Sequence, residues 1–301
     1  MNSSVVNSII LLFSLIAIGY IARKTGILDE IANGRFSRFL LQVAMPGTIL
    51  YSAVSQKAMN HSALLRITLI AVAVFALVPL CSRGVARIFH LGSTYQLMLN
   101  YSNLGFMGFP LIASVFGSAH VFYAVIFMMV FNVHIFTFGV ITLCGKGQDL
   151  RSLLKTLCSP GILSAILAFL LALFPVSVPE PVTTLLSSVN GVTTPLAMIV
   201  IGSQLGAVSL HQCLKSGKLY LMTFFKLAVY PALVYVLFSL LMGKGDMMVQ
   251  IAAILTGLPV AGNVTMLCSQ YKGDVSLAAQ GTCVSTLLSL VTIPVMLSLI
   301  L

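Results

Sequence analysis

The sequence predicts an all-α membrane protein. Its ten transmembrane helices form two inverted halves of five, residues 1–150 and 151–301, with the fourth and ninth helices broken and crossed. Three observations predict it. Only 7% of the 301 residues are charged and 59% are hydrophobic, whereas soluble domains run at about 25% charged. Ten apolar segments follow one another along the chain, most of them near the ~20 residues a helix needs to cross a bilayer. Prolines recur in corresponding segments: Pro46 and Pro195 are 149 residues apart, as are Gly108-Phe109-Pro110 and Gly257-Leu258-Pro259.

The segments are roughly 4–22, 36–55, 62–82, 94–117, 119–144, 160–175, 182–206, 217–242, 247–271 and 275–300. The first opens with MNSSVVNSIILLFSLIAIGY and lacks the basic region of a cleaved signal, so it reads as a span. Charges or turn residues bound each segment, as in RKTG, GKGQDLRSLLK, GKGD and YKGD. No polar stretch is long enough for a separate soluble domain. Alternate loops carry twelve Lys and Arg, at 23, 24, 35, 38, 83, 87, 146, 151, 155, 215, 218 and 272. The other loops carry three, Lys57, Arg66 and Lys244. The positive-inside rule then puts the first set in the cytoplasm and both termini outside the plasma (inner) membrane. The net charge of +10 is thus a topology signal, and its scatter over short loops excludes nucleic acid as a partner. The partners expected are the lipid bilayer and a small solute.

An odd number of spans per half turns the second copy over, which is the build of many secondary transporters. Broken helices in lipid occur only where protein or a water-filled cavity covers the freed backbone. The candidate breaks are NLGFMGFP (103–110) and TGLPVAGN (256–263). Proline suits the first position of a helix, so Pro110 and Pro259 are each expected to open a second half-helix. Crossed, the two half-helix N-termini would offer free N–H groups and partial positive charge to a small anion. The plainer reading is a pair of ordinary proline kinks. Asn103 and Asn263 flank the breaks, and each either binds a carboxylate through its amide or satisfies backbone freed by the break. Lys226 is the one charge deep in a span. It either balances an anionic substrate or snorkels to the cytoplasmic face. Asn132, in the fifth span, either meets the solute or bonds a neighbouring helix, and His134 of the same span either takes a proton or stays neutral and bonded to a neighbour.

All six acidic residues lie in loops or at span ends, so the intramembrane carboxylate of a cation antiporter is missing. The six cysteines show no CxxC pair and no metal-ligand spacing; neither disulfide, metal nor cofactor is expected. There is no phosphate-binding loop, and GSQLG (202–206) is not a nucleophile elbow. An enzyme is therefore not expected, and any transport is secondary.

With NLGFMGFPL, LPVAGN, LLQVAMPGTIL and TTPLAMIVIGSQL in these places, the chain resembles the auxin efflux carrier family in its small bacterial form. That family is similar in fold to bile-acid transporters and sodium/proton antiporters. The resemblance covers the whole chain, although the long cytoplasmic loop of the plant carriers is replaced by GKGQDLRSLLK. It implies a scaffold of spans 1, 2, 6 and 7, a transport domain of spans 3–5 and 8–10 that moves as an elevator, and a homodimer through the scaffold. On that architecture Gln42 of span 2 and Ser203 and Gln204 of span 7 face the mobile domain. Family substrates imply a small organic anion. The function expected is secondary or facilitative carboxylate transport. The alternative is a sodium- or proton-coupled symporter of another small metabolite. A channel or membrane sensor fits less well, since neither a continuous polar face nor an output domain is visible.

Overall fold

The computed structural model describes residues 3–55, 61–144, 160–174, 178–207, 216–271 and 273–301. The expected cytoplasmic loop 145–159, with Lys146, Arg151 and Lys155, lies outside the described residues, as do Lys57, Lys215 and Lys272. In chain order the helices are α1 (Ser3–Lys24), α2 (Glu30–Phe39), α3 (Met45–Ser55), α4 (His61–Ile88), α5 (Ser93–Asn100), α6 (Phe109–Phe116), α7 (Val121–His134) and α8 (Val140–Cys144). They continue as α9 (Pro160–Leu173), α10 (Glu180–Ala207), α11 (Gly217–Phe224), α12 (Tyr230–Met242), α13 (Met247–Thr256), α14 (Gly262–Gln270) and α15 (Val275–Ile300). Each of the ten apolar segments is thus helical over most of its described length. Among the described residues, five uninterrupted helical runs are long and apolar enough to cross a membrane: Ser62–Ile88, Ser118–Leu143, Glu180–Ala207, Gly217–Met242 and Val275–Ile300.

Acidic residues serve the helix ends. Asp29 accepts from Ala32 N–H, Asp246 from Met248 N–H and Asp274 from Leu277 N–H. Each satisfies a donor that a helix start leaves orphaned, beside the positive end of the helix.

Several helices are joined through π turns. Three of these turns end two residues before a proline: Leu40–Ala44 before Pro46, Leu104–Gly108 before Pro110, and Phe225–Val229 before Pro231. Proline removes an N–H and its ring clashes with the carbonyl four residues back. One extra residue in the preceding turn moves that carbonyl aside, so the helix continues past the proline. Pro79, Pro195 and Pro294 lie inside helices α4, α10 and α15.

By packing, the chain divides into two compact units. One comprises Met1–Thr68, Gly105–Met129 and Lys155–Ala207; the other comprises Leu69–Leu104, Val130–Leu154 and Val208–Leu301. In the first unit α1 packs closely on α10. A Cβ built at Gly19 would fall on the Ile199 carbonyl, and one at Gly202 on the Ile16 carbonyl. Small residues of this kind let helix backbones touch in a membrane. Thr193 of α10 then donates to the Ala44 carbonyl (3.2 Å) and meets the Thr48 hydroxyl at 2.9 Å, tying α10 to α3 beside Pro46. The second unit contains the two helix breaks.

Candidate functional site

Helix α5 stops at Asn100, and Tyr101 adopts extended backbone with φ −115° and ψ 115°. Its N–H still closes back onto the Leu97 carbonyl at 3.1 Å. The next bonds leave the helix. Asn103 N–H donates to the Pro259 carbonyl (2.9 Å), and Ala261 N–H donates to the Tyr101 carbonyl (3.0 Å). These two bonds pair Ser102 with Val260 as a single antiparallel bridge. The ninth apolar segment is broken between Thr256 and Gly262, and α14 resumes with Ala261 at its cap. Each break therefore supplies the hydrogen-bond partners that the other lacks, which is how backbone leaves a helix away from water.

Two carbonyls at the ends of the first half-helices are covered by side chains. Because Asn103 N–H is spent on Pro259, the Leu99 carbonyl has no helical donor. The Lys226 ammonium donates to it at 3.1 Å, and to the Ser102 hydroxyl oxygen at 2.7 Å. Ser102 in turn donates to the Thr256 carbonyl at 3.0 Å, the last residue of α13. Val260 N–H donates to the Ser285 hydroxyl of α15 at 3.0 Å. Lys226 is 0% exposed and both its acceptors are neutral. It does not snorkel; it caps the carbonyl end of a broken helix, where a cation opposes the helix dipole. The π turn Phe225–Val229 carries it there, and Gly257 leaves room for Pro231, since a Cβ at Gly257 would lie 3.0 Å from the Pro231 ring.

The prolines behave differently from expectation. Pro110 does not open a half-helix. The helical path resumes at Leu104, six residues earlier, and the π turn Leu104–Gly108 carries it into α6 with Pro110 buried inside. Pro259 does lie in a break, but α14 starts only at Gly262; its role is to offer its carbonyl to Asn103. The matched Gly-x-Pro motifs thus occupy different structural positions.

Of the remaining candidates, Asn103 and Asn263 are half-buried beside the paired breaks, in the second unit with Lys226 and Pro259. Asn132 is half-buried on α7, also in that unit. Gln42 and Gln204 are exposed and belong, with Pro110, to the first unit. Ser203 is buried there, with its hydroxyl unpaired among the described residues. His134 holds the first break by its side chain: the Tyr101 hydroxyl lies 2.9 Å from its Nδ1 and 3.2 Å from its carbonyl oxygen. Phe138 stacks on the imidazole at 4.8 Å between ring centres. Sequence reasoning missed Tyr101, Ser102, Thr256 and Ser285. The run Asn100-Tyr101-Ser102-Asn103 was the available signal, since short polar side chains compete with the helix for its own backbone.

A family model described as membrane transport protein matches residues 4–153 and 150–297. An uncharacterized transporter of Methanocaldococcus jannaschii is 25% identical over 305 aligned residues, covering 95% of each chain. An uncharacterized transporter of Methanothermobacter thermautotrophicus is 24% identical over 286 residues, covering 93% of each. These relatives are transporters rather than enzymes, and the apolar helices agree with an integral membrane protein. The chain belongs to the membrane transport protein family, the family of the auxin efflux carriers.

Proposed function

We propose that this protein is a secondary or facilitative transporter of a small organic anion, and that the paired breaks hold the carboxylate. The observation that carries the proposal is Lys226. Two broken helices bring together carbonyl ends, which are negative, and N–H ends, which are positive. The buried ammonium on the Leu99 carbonyl offsets one negative end. The site keeps a positive balance, and no acidic residue lies within a span to reverse it. Asn103 and Asn263 add amide donors at its edge. Lys226 itself attracts the anion through its field.

The architecture implied by the resemblance supports alternating access by an elevator motion. The first unit gathers spans 1, 2, 6 and 7, joined by the glycine contacts of α1 and α10, which suits a fixed framework. It also takes Gly105–Met129, which a strict division into scaffold and mobile spans does not assign to it. In this reading the ten spans form an inverted repeat in the plasma (inner) membrane with both termini outside, and the framework dimerises. A proton-coupled symporter of another small metabolite is the second reading, favoured by the bond between His134 and Tyr101 of the break.

Uptake by proteoliposomes across a panel of labelled mono- and dicarboxylates tests the proposal. Saturable uptake with counterflow is expected; a non-saturating current would indicate a channel instead. An imposed pH gradient that drives uptake of a neutral solute would favour the second reading. Asn103→Ala and Asn263→Ala should each weaken carboxylate binding by roughly threefold to tenfold, as an amide hydrogen bond contributes about 0.5–1.5 kcal/mol.

A further inference from the structure

We propose that the Lys226 ammonium is a built-in substitute for a monovalent cation at the paired breaks, so that the protein holds the breaks together and completes its cycle without sodium. The acceptors around Nζ define the site. The Leu99 carbonyl, 3.1 Å away, belongs to the C-terminal end of a half-helix and is free because Asn103 N–H donates to Pro259. The Ser102 hydroxyl, 2.7 Å away, has committed its proton to the Thr256 carbonyl, so only its lone pairs face Lys226. Both groups accept and neither donates. An anion has no place there; one positive charge does.

Unwound carbonyls and half-helix C-termini are the ligands with which broken-helix transporters hold sodium. Here the same kind of oxygen set is filled by a side chain that cannot dissociate. Lysine suits the task because its ammonium is a compact point charge on a long stem. The π turn around it and the 0% exposure of the residue keep it in place. The inference concerns the cation alone and does not depend on the substrate being a carboxylate.

The test uses the purified full-length protein and thermal unfolding in chlorides of sodium, lithium, ammonium or choline at equal ionic strength. The wild type should unfold at one temperature in all four. Lys226→Ala should unfold earlier in choline and recover in sodium or ammonium, with a shift that grows with cation concentration as mass action requires. Adding Ser102→Ala to that variant should abolish the recovery. A sodium-specific stabilisation of the wild type would overturn the proposal, as would a Lys226→Ala protein that stays low in every cation or loses nothing in choline. A second arm needs no variant: wild-type proteoliposomes should take up substrate at the same rate with sodium replaced by choline on both sides. A rate that collapses in choline would overturn the proposal while leaving the carrier reading intact.

Discussion

The break in the fourth apolar segment consists of Tyr101, Ser102 and Asn103, with no glycine or proline, whereas the break in the ninth segment runs through Gly257 and Pro259. They also differ in what covers them. The first rests on an ammonium and on the Tyr101–His134 bond; the second rests on the hydroxyls of Ser102 and Ser285. A few residues from the first break, Pro110 sits inside a helix that a π turn keeps intact. The difference teaches that a helix in an apolar setting ends where other groups will take its backbone donors and acceptors, and not simply where its residues are poor helix formers.

Ser102 joins the two breaks, so it is the place to disturb both. Ser102→Ala strips Lys226 of one acceptor and leaves the Thr256 carbonyl without its donor. A loss of about 3 kcal/mol is expected, from one charge-assisted bond and one buried unpaired carbonyl. Thermal or denaturant unfolding of the purified variant measures it. Ser285→Ala, which removes a single neutral bond to Val260, should cost about 1 kcal/mol. If the two serines cost the same, the breaks do not differ in the way described.

The prolines sharpen the comparison further. Pro259→Ala puts a new N–H into a buried break and frees its backbone, an expected cost of about 2 kcal/mol. It should slow turnover more than it reduces insertion. Pro110→Ala restores an ordinary helical residue where the π turn already carries the chain past, and should change stability by less than about 1 kcal/mol. Equal damage to turnover from both would return Pro110 to a direct part in the break.

Much of this was legible in the sequence, for reasons that can be named. The scarcity of charge and the spacing of apolar segments located the helices, because a membrane span must be long and apolar. Lys226 stood out because a charge so deep in a span is costly. Gly257 and Pro259 marked the ninth break correctly. The sequence puts the first break a few residues late, because Pro110 is the evident helix breaker and the remedy for its missing N–H, one extra residue in the preceding turn, leaves no mark in composition. The partners of Lys226 were hidden for a different reason. A backbone carbonyl such as that of Leu99 has no identity in sequence, and it becomes an acceptor only when Asn103 bonds Pro259 across the chain. For Gln42 and Gln204 only the resemblance implies a place, facing a mobile domain, and both are exposed in the first unit.

The central claim is that the paired breaks are where the carboxylate binds. The most direct measurement is an experimental structure with a brominated carboxylate substrate, its bromine located by anomalous scattering. The account predicts the carboxylate beside the Ser102–Val260 bridge, within hydrogen-bond reach of Asn103 or Asn263. A carboxylate more than a helix diameter, about 10 Å, from both breaks would contradict it.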